Sequence, residues 1–215
     1  MTSCFIAAFY ILEVNECNGD VSPTSVPGSI IIGAMESVLI ITGTMGAGKT
    51  SVLAEASDIL ALRGIAHAAI DLDALGLAHL PSAARCDGVM YGNLQSVCEN
   101  YASLGVRRLL LARAIEDRAE LELCRGVVSA SNTVVCRLTA SIEAMEQRVK
   151  LRESGVSRRD YVARVAELNT ILDRAQLEDF TVTNENRQLT DVAHELLVKA
   201  GWISNTCQAA GTNCC

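Results

Sequence analysis

At 215 residues with 50% apolar content, the chain can bury the core of one domain and still have room for appendages at its ends. Its formal charge of −7 argues against a nucleic-acid surface as the main function. Anionic nucleotides remain open, because local loops bind them whatever the net charge.

Residues 4–12 (CFIAAFYIL) are apolar but far too short to span a bilayer, and no Lys or Arg precedes them as in a signal peptide. Residues 13–36 carry Asn, Gly, Ser, Pro23 and Pro27 and read as linker. Residues 1–34 are therefore expected to be an extension, and residues 35–203 the domain, which starts at Met35.

Ser37 to Thr42 reads as a buried strand. It leads into Gly43-Thr44-Met45-Gly46-Ala47-Gly48-Lys49-Thr50, which matches the phosphate-loop pattern GxxxxGK[ST] at every fixed position. The glycines allow a tight turn around phosphate oxygens. The loop N–H groups form an anion-binding nest, and the helix starting at Lys49 adds its positive end. In that pattern Lys49 reaches the β- and γ-phosphates of ATP, and the Thr50 hydroxyl ligates magnesium.

Val52, Leu53, Ala56, Ile59 and Leu60 give the first helix an apolar face, and Gly64 stops it. A second strand is expected over residues 65–72. Alternation along it would place Asp71 and Asp73 on one side, facing the phosphates. Asp73 is then the candidate base for an attacking hydroxyl, and Asp71 the candidate magnesium or substrate support. His67, inside this strand, reads as a satisfied core histidine. His79, in the loop after the aspartates, is a weak candidate for a substrate contact.

A loop with Pro81 and Gly88 precedes a helix carrying Met90, Leu94, Val97, Tyr101 and Leu104. Tyr101 reads as core and Asn93 as a candidate pocket contact. The third strand, Val106 to Ala112, ends in Arg113 and lacks the acid that many P-loop ATPases place there. Arg113 either reaches substrate or sits at the core edge. A helix over 117–127 and a fourth strand over 133–139 follow.

Ser141 is expected to cap a helix reaching Glu153, and Ser157 a further helix carrying Tyr161, Val165, Leu168, Ile171 and Leu172. Arg148, Lys150, Arg152, Arg158 and Arg159 surround the break at Gly155. Arg148 and Arg152 lie four apart on one helical face. The segment 146–160 reads as a lid that brings these two guanidinium groups to the transferring phosphoryl, or else as a solvated basic face paired with Glu146 and Glu153. Phe180 to Thr183 is a fifth strand, a last helix starts near Thr190, and a polar tail follows from residue 204.

The alternation of strands and helices predicts an α/β fold, a five-stranded parallel sheet with helices on both faces and the binding loops on one edge. Of nine cysteines, Cys86, Cys98, Cys124 and Cys136 are scattered through the domain without a CxxC pair and read as free thiols in a cytoplasmic protein. Cys207, Cys214 and Cys215 lie in the tail without a metal-site spacing.

With these residues placed, the chain resembles the small P-loop kinases of the adenylylsulfate kinase and chloramphenicol phosphotransferase type. The resemblance runs from about Met35 to Trp202. Residues 43–50 carry it most specifically, residues 70–75 resemble the acidic segment after the second strand, and residues 146–153 resemble the lid. It implies ATP, magnesium and transfer of the γ-phosphoryl to a small-molecule hydroxyl. The net charge and the short apolar segment add the expectation of no nucleic-acid and no membrane partner. The Ser-Pro-Tyr segment of adenylylsulfate kinases is replaced by Ala114-Ile115-Glu116-Asp117, so the acceptor is not specified. A regulatory nucleotide hydrolase and a silent binding module are the alternatives. Oligomeric state is not legible.

Overall fold

The computed structural model describes residues 35–77, 86–155 and 158–205. The 1–34 extension, His79, the Ser157 cap and the tail cysteines lie outside the described residues. In chain order the elements are β1 (Ser37–Thr42), α1 (Lys49–Leu62), β2 (Ala68–Asp71), α2 (Leu72–Leu75), α3 (Cys86–Ser103), β3 (Arg108–Ala112), α4 (Arg118–Val128), β4 (Asn132–Thr139), α5 (Ile142–Arg152), α6 (Arg158–Ala175), β5 (Phe180–Thr183) and α7 (Leu189–Lys199).

The five strands form one sheet in the order β2-β3-β1-β4-β5, and every neighbouring pair is parallel. A parallel sheet buries both faces, so its central strands are continuously apolar rather than alternating. In β1, Leu39 and Ile41 pack toward α1 and α7, while Val38 and Ile40 pack toward α3 and α4. In β3, Leu110 and Ala112 join the first core and Leu109 and Leu111 the second. Val192, Ala193, Leu196 and Leu197 of α7 share this core with Val52, Leu53, Ala56 and Leu60 of α1. Trp202 closes this side, donating from Nε1 to Ser37 Oγ at 3.1 Å.

Helix ends follow local rules. Gly64 takes φ +66, and the Ile65 N–H returns to Leu60 O at 3.0 Å, the doubled-back stop of a left-handed glycine. Asp117 caps α4 by accepting from the Glu120 N–H at 2.8 Å, and Ser141 caps α5 by accepting from the Ala144 N–H at 3.2 Å.

Three expectations need correction. β2 covers only Ala68–Asp71, because Ile65 is tied to the end of α1 and Asp71 already begins capping α2. Tyr101 is not core: it is 38% exposed, and Tyr91, 5% exposed, takes the buried place on the same helix. His67 is satisfied, bonding Ser57 Oγ and Ile65 O, each at 2.8 Å, but it stands just ahead of β2 and is half-buried rather than core. Cys98, Cys124 and Cys136 are buried free thiols, and burial pushes them up to about 11, 12 and 12 respectively.

Candidate active site

The glycine-rich turn occupies the C-terminal edge of β1. Gly46 has φ +78 and Gly48 φ +97, conformations that side chains resist. A Cβ on Gly46 would strike the Met145 carbonyl, and one on Gly48 would strike the Asn184 amide. Ala47 is buried in the core and Met45 packs beside it. Thr44 Oγ1 ties the loop to α6 by donating to Val165 O at 3.2 Å. Lys49 folds back over the turn, its Nζ donating to Gly43 O at 3.0 Å and Thr44 O at 3.3 Å. Burial holds its pKa below the ordinary lysine value, against the attraction of Asp73 and Asp71.

The two aspartates reach this loop, but not as alternating residues of one strand. Asp71 ends β2, and its Oδ1 accepts the Asp73 N–H at 3.3 Å, so the chain turns into α2 and Asp73 stands in its first turn. The other oxygen, Asp71 Oδ2, accepts from Thr50 Oγ1 at 2.6 Å. Asp73 Oδ1 is paired with Arg113 Nη1, and Arg113 Nε donates to Glu120 Oε1 at 3.0 Å. Burial alone would lower the arginine's pKa, but these carboxylates outweigh it and hold it above the usual value.

Asp73 lines a cleft of about 570 Å³ together with Lys49, Thr50, Arg148, Arg152 and Tyr161. Arg148 and Arg152 share the cleft wall but differ in task. Arg148 Nη1 donates to Gly46 O at 3.0 Å and Nη2 to Asn184 O at 2.7 Å, so this guanidinium braces the phosphate loop against the end of β5. Arg152 is 63% exposed in its side chain and pairs with Glu153 at 2.8 Å.

Several site residues were not singled out from the sequence. Asn184 Nδ2 donates to Ala47 O at 2.7 Å, completing the brace around the loop. Glu120 gathers Arg113, the Tyr91 hydroxyl at 3.2 Å and the Glu116 N–H at 3.0 Å. Its spacing of three from Asp117 is that of a capping box, a legible signal. Arg164 of α6 grips both oxygens of Glu116 at 2.9 and 2.8 Å, a pairing that no sequence spacing announces. Asn93, a candidate pocket contact, instead donates to Leu75 O at 2.8 Å and fixes α2 to α3.

No protein-family model matches the chain, and no curated protein sequence matches it. Solved structures do. The chain is similar to a shikimate kinase from Bacteroides thetaiotaomicron, with a TM-score of 0.55 and 14% identity over 77% of this chain and 98% of that one. It is similar to the tunicamycin resistance protein of Deinococcus radiodurans, with a TM-score of 0.54 and 15% identity over 78% and 97% of the two chains. It is also similar to the Mycobacterium tuberculosis APS kinase solved with AMPPNP and APS, with a TM-score of 0.51 and 20% identity over 77% and 97%. The chain has the kinase-like P-loop fold. Among the described residues, no helix is long and apolar enough to cross a membrane.

Proposed function

We propose that this protein is an ATP-dependent phosphotransferase that moves the γ-phosphoryl of ATP to a hydroxyl of a small molecule. One observation carries the reading: Lys49 and Asp73 line the same cleft, with Thr50 and Asp71 hydrogen-bonded beside them. A phosphate-holding cation and a candidate base in one cleft are what transfer to a hydroxyl requires. The names of the structural neighbours, shikimate kinase and APS kinase among them, agree with it.

In this reading the loop amides and Lys49 hold the phosphates. Asp73 takes the acceptor hydroxyl's proton as the acceptor oxygen bonds to the γ-phosphorus. The bond to the β,γ-bridging oxygen breaks, and its electron pair leaves with ADP. Arg113 holds Oδ1 of Asp73, so Oδ2 is the oxygen that receives the proton. The Arg152–Glu153 pair is solvent-screened and weak, which lets Arg152 turn toward the phosphoryl.

Magnesium fits the donors present. The Thr50 hydroxyl and Asp71 carboxylate are hard oxygen ligands next to the phosphate loop. Among the described residues no group of three His, Cys, Asp or Glu side chains could hold a metal alone, so phosphate oxygens would complete the shell. When bound, the ion neutralises charge on the phosphates. Buried, unpaired thiols agree with a cytoplasmic location.

The test is to incubate the protein with ATP, magnesium and a panel of hydroxyl compounds and to follow products by mass. A phosphorylated compound supports the reading. Release of inorganic phosphate alone, whatever the acceptor, supports the nucleotide hydrolase instead. AMPPNP binding without any turnover refutes both.

A further inference from the structure

A second cavity, of about 560 Å³, is lined by Tyr91, Arg113, Glu116, Asp117, Glu120 and Leu123. Arg113 joins it to the nucleotide cleft, because the same guanidinium pairs with Asp73, which lines that cleft. A molecule seated in the second cavity therefore lies one side chain away from the candidate base.

Arg113 is the cation among the described residues that line this cavity, and it is already engaged. Its Nη1 holds Asp73 and its Nε holds Glu120 at 3.0 Å. Glu120 is engaged as well: Oε1 also accepts from Tyr91, and Oε2 accepts from the Glu116 N–H. Glu116 is paired from outside with Arg164 at 2.8 Å, a guanidinium it shares with Glu167 at 2.7 Å. Asp117 is exposed, with Oδ1 committed to the cap of α4. A carboxylate, phosphate or sulfate entering here would have to share the one guanidinium with Asp73 and Glu120, beside the exposed Asp117. It would add a negative charge where carboxylates already outnumber the guanidinium, a cost of the kind that rejects a wrong partner. An ammonium group meets the opposite field. The Leu123 side chain and the Tyr91 ring supply surface for a carbon skeleton.

We infer that this cavity receives the acceptor, and that the acceptor is a hydroxyl compound without a carboxylate, phosphate or sulfate group, an amine-bearing alcohol being preferred to its uncharged counterpart. This rests on the phosphotransfer reading for its chemistry, but its binding order can be measured without turnover.

Three matched pyranoses are the probes: D-glucosamine, D-glucose and D-glucuronate. Each is titrated into the full chain with AMPPNP and magnesium, and binding is read by saturation-transfer NMR. The expected order is glucosamine, then glucose, then glucuronate. Asp117→Asn keeps a competent helix cap and removes one charge, so it should cut the preference for glucosamine over glucose by roughly five-fold, the weight of a unit charge about 4 Å away in water. Glu120→Gln leaves Arg113 with one carboxylate fewer and should raise glucuronate affinity. Unchanged AMPPNP affinity verifies that each variant is folded, and Asp117→Asn stands alone if Glu120→Gln loses it. Glucuronate binding as tightly as glucose, no binding of any probe, or an order unaffected by Asp117→Asn overturns the inference. If the binding order holds but no acceptor is ever phosphorylated, the phosphotransfer reading fails instead.

Discussion

The Thr50 hydroxyl donates to Asp71 Oδ2 at 2.6 Å, joining the first turn of α1 to the end of β2. This bond sets a hydroxyl and a carboxylate oxygen side by side at the phosphate loop. Asp71→Asn removes this carboxylate's negative charge while keeping the side chain's shape. The expected outcome is a magnesium requirement raised by roughly 10–100-fold, the usual cost of losing a supporting carboxylate. A titration of nucleotide turnover against magnesium concentration checks it; an unchanged midpoint removes Asp71 from the metal's surroundings.

Asp73→Asn should leave nucleotide affinity nearly intact and lower phosphoryl transfer by roughly 10²–10⁴-fold, the range for a positioned base. Lys49→Ala should weaken both affinity and rate, because its ammonium holds the phosphates in the ground state as well as in transfer. Calorimetric AMPPNP binding beside product mass separates the two effects. Full turnover by Asp73→Asn would refute the base assignment.

Gly46→Ala forces a Cβ into the Met145 carbonyl at φ +78. Backbone strain of about 1–3 kcal/mol follows, and relief requires the loop to move off α5. We expect a lower unfolding midpoint together with lost AMPPNP binding, whereas Gly88→Ala, where the added Cβ meets nothing, serves as the neutral control for nucleotide affinity.

Arg148 braces the loop through the carbonyls of Gly46 and Asn184. Arg148→Ala should destabilise the fold by about 1–3 kcal/mol, the scale of hydrogen bonds to a charged donor. Arg148→Lys keeps the charge but loses the fork, so it should restore little of the loss. Chemical denaturation of the three proteins is the measurement. Full rescue by lysine would show that charge, not the two-carbonyl brace, is what matters.

Glu185 accepts the Ser141 N–H at 2.7 Å and the Ser141 hydroxyl at 2.8 Å, and these bonds hold its pKa below the ordinary 4.5. A carboxylate with a depressed folded-state pKa contributes stability above its unfolded value, and that contribution is lost as pH falls through the folded one. Glu185→Gln should therefore be less stable than the parent near neutrality, with the gap closing as pH drops below 4.5. Thermal midpoints measured across that range test it; a gap independent of pH would assign the effect to packing.

The chain announced its sheet and its phosphate loop for local reasons. Apolar runs such as Leu109 to Leu111 can only be buried from both sides, and Gly46, Gly48 and Lys49 act through backbone freedom and charge at fixed offsets. Helix stops such as Gly64 and caps such as Ser141 are local in the same way. The acids after β2 were legible as residues but not as geometry. Alternation suggested a shared strand face, whereas Asp71 uses one oxygen to start α2 and so carries Asp73 onto a helix. Asp71 is the last paired residue of the ladder and at the same time the cap of the next helix, which period-two reasoning does not weigh.

Residue order by itself therefore determined the parallel five-stranded frame and the anion-binding turn, because both follow from short-range stereochemistry and burial. Tertiary structure alone decided that Arg113 meets Asp73 forty positions away, that Arg164 covers Glu116, and that Arg148 grips carbonyls rather than standing open. These partners come from different elements on one sheet edge. Their pairing depends on where whole helices dock, and no spacing along the chain encodes that.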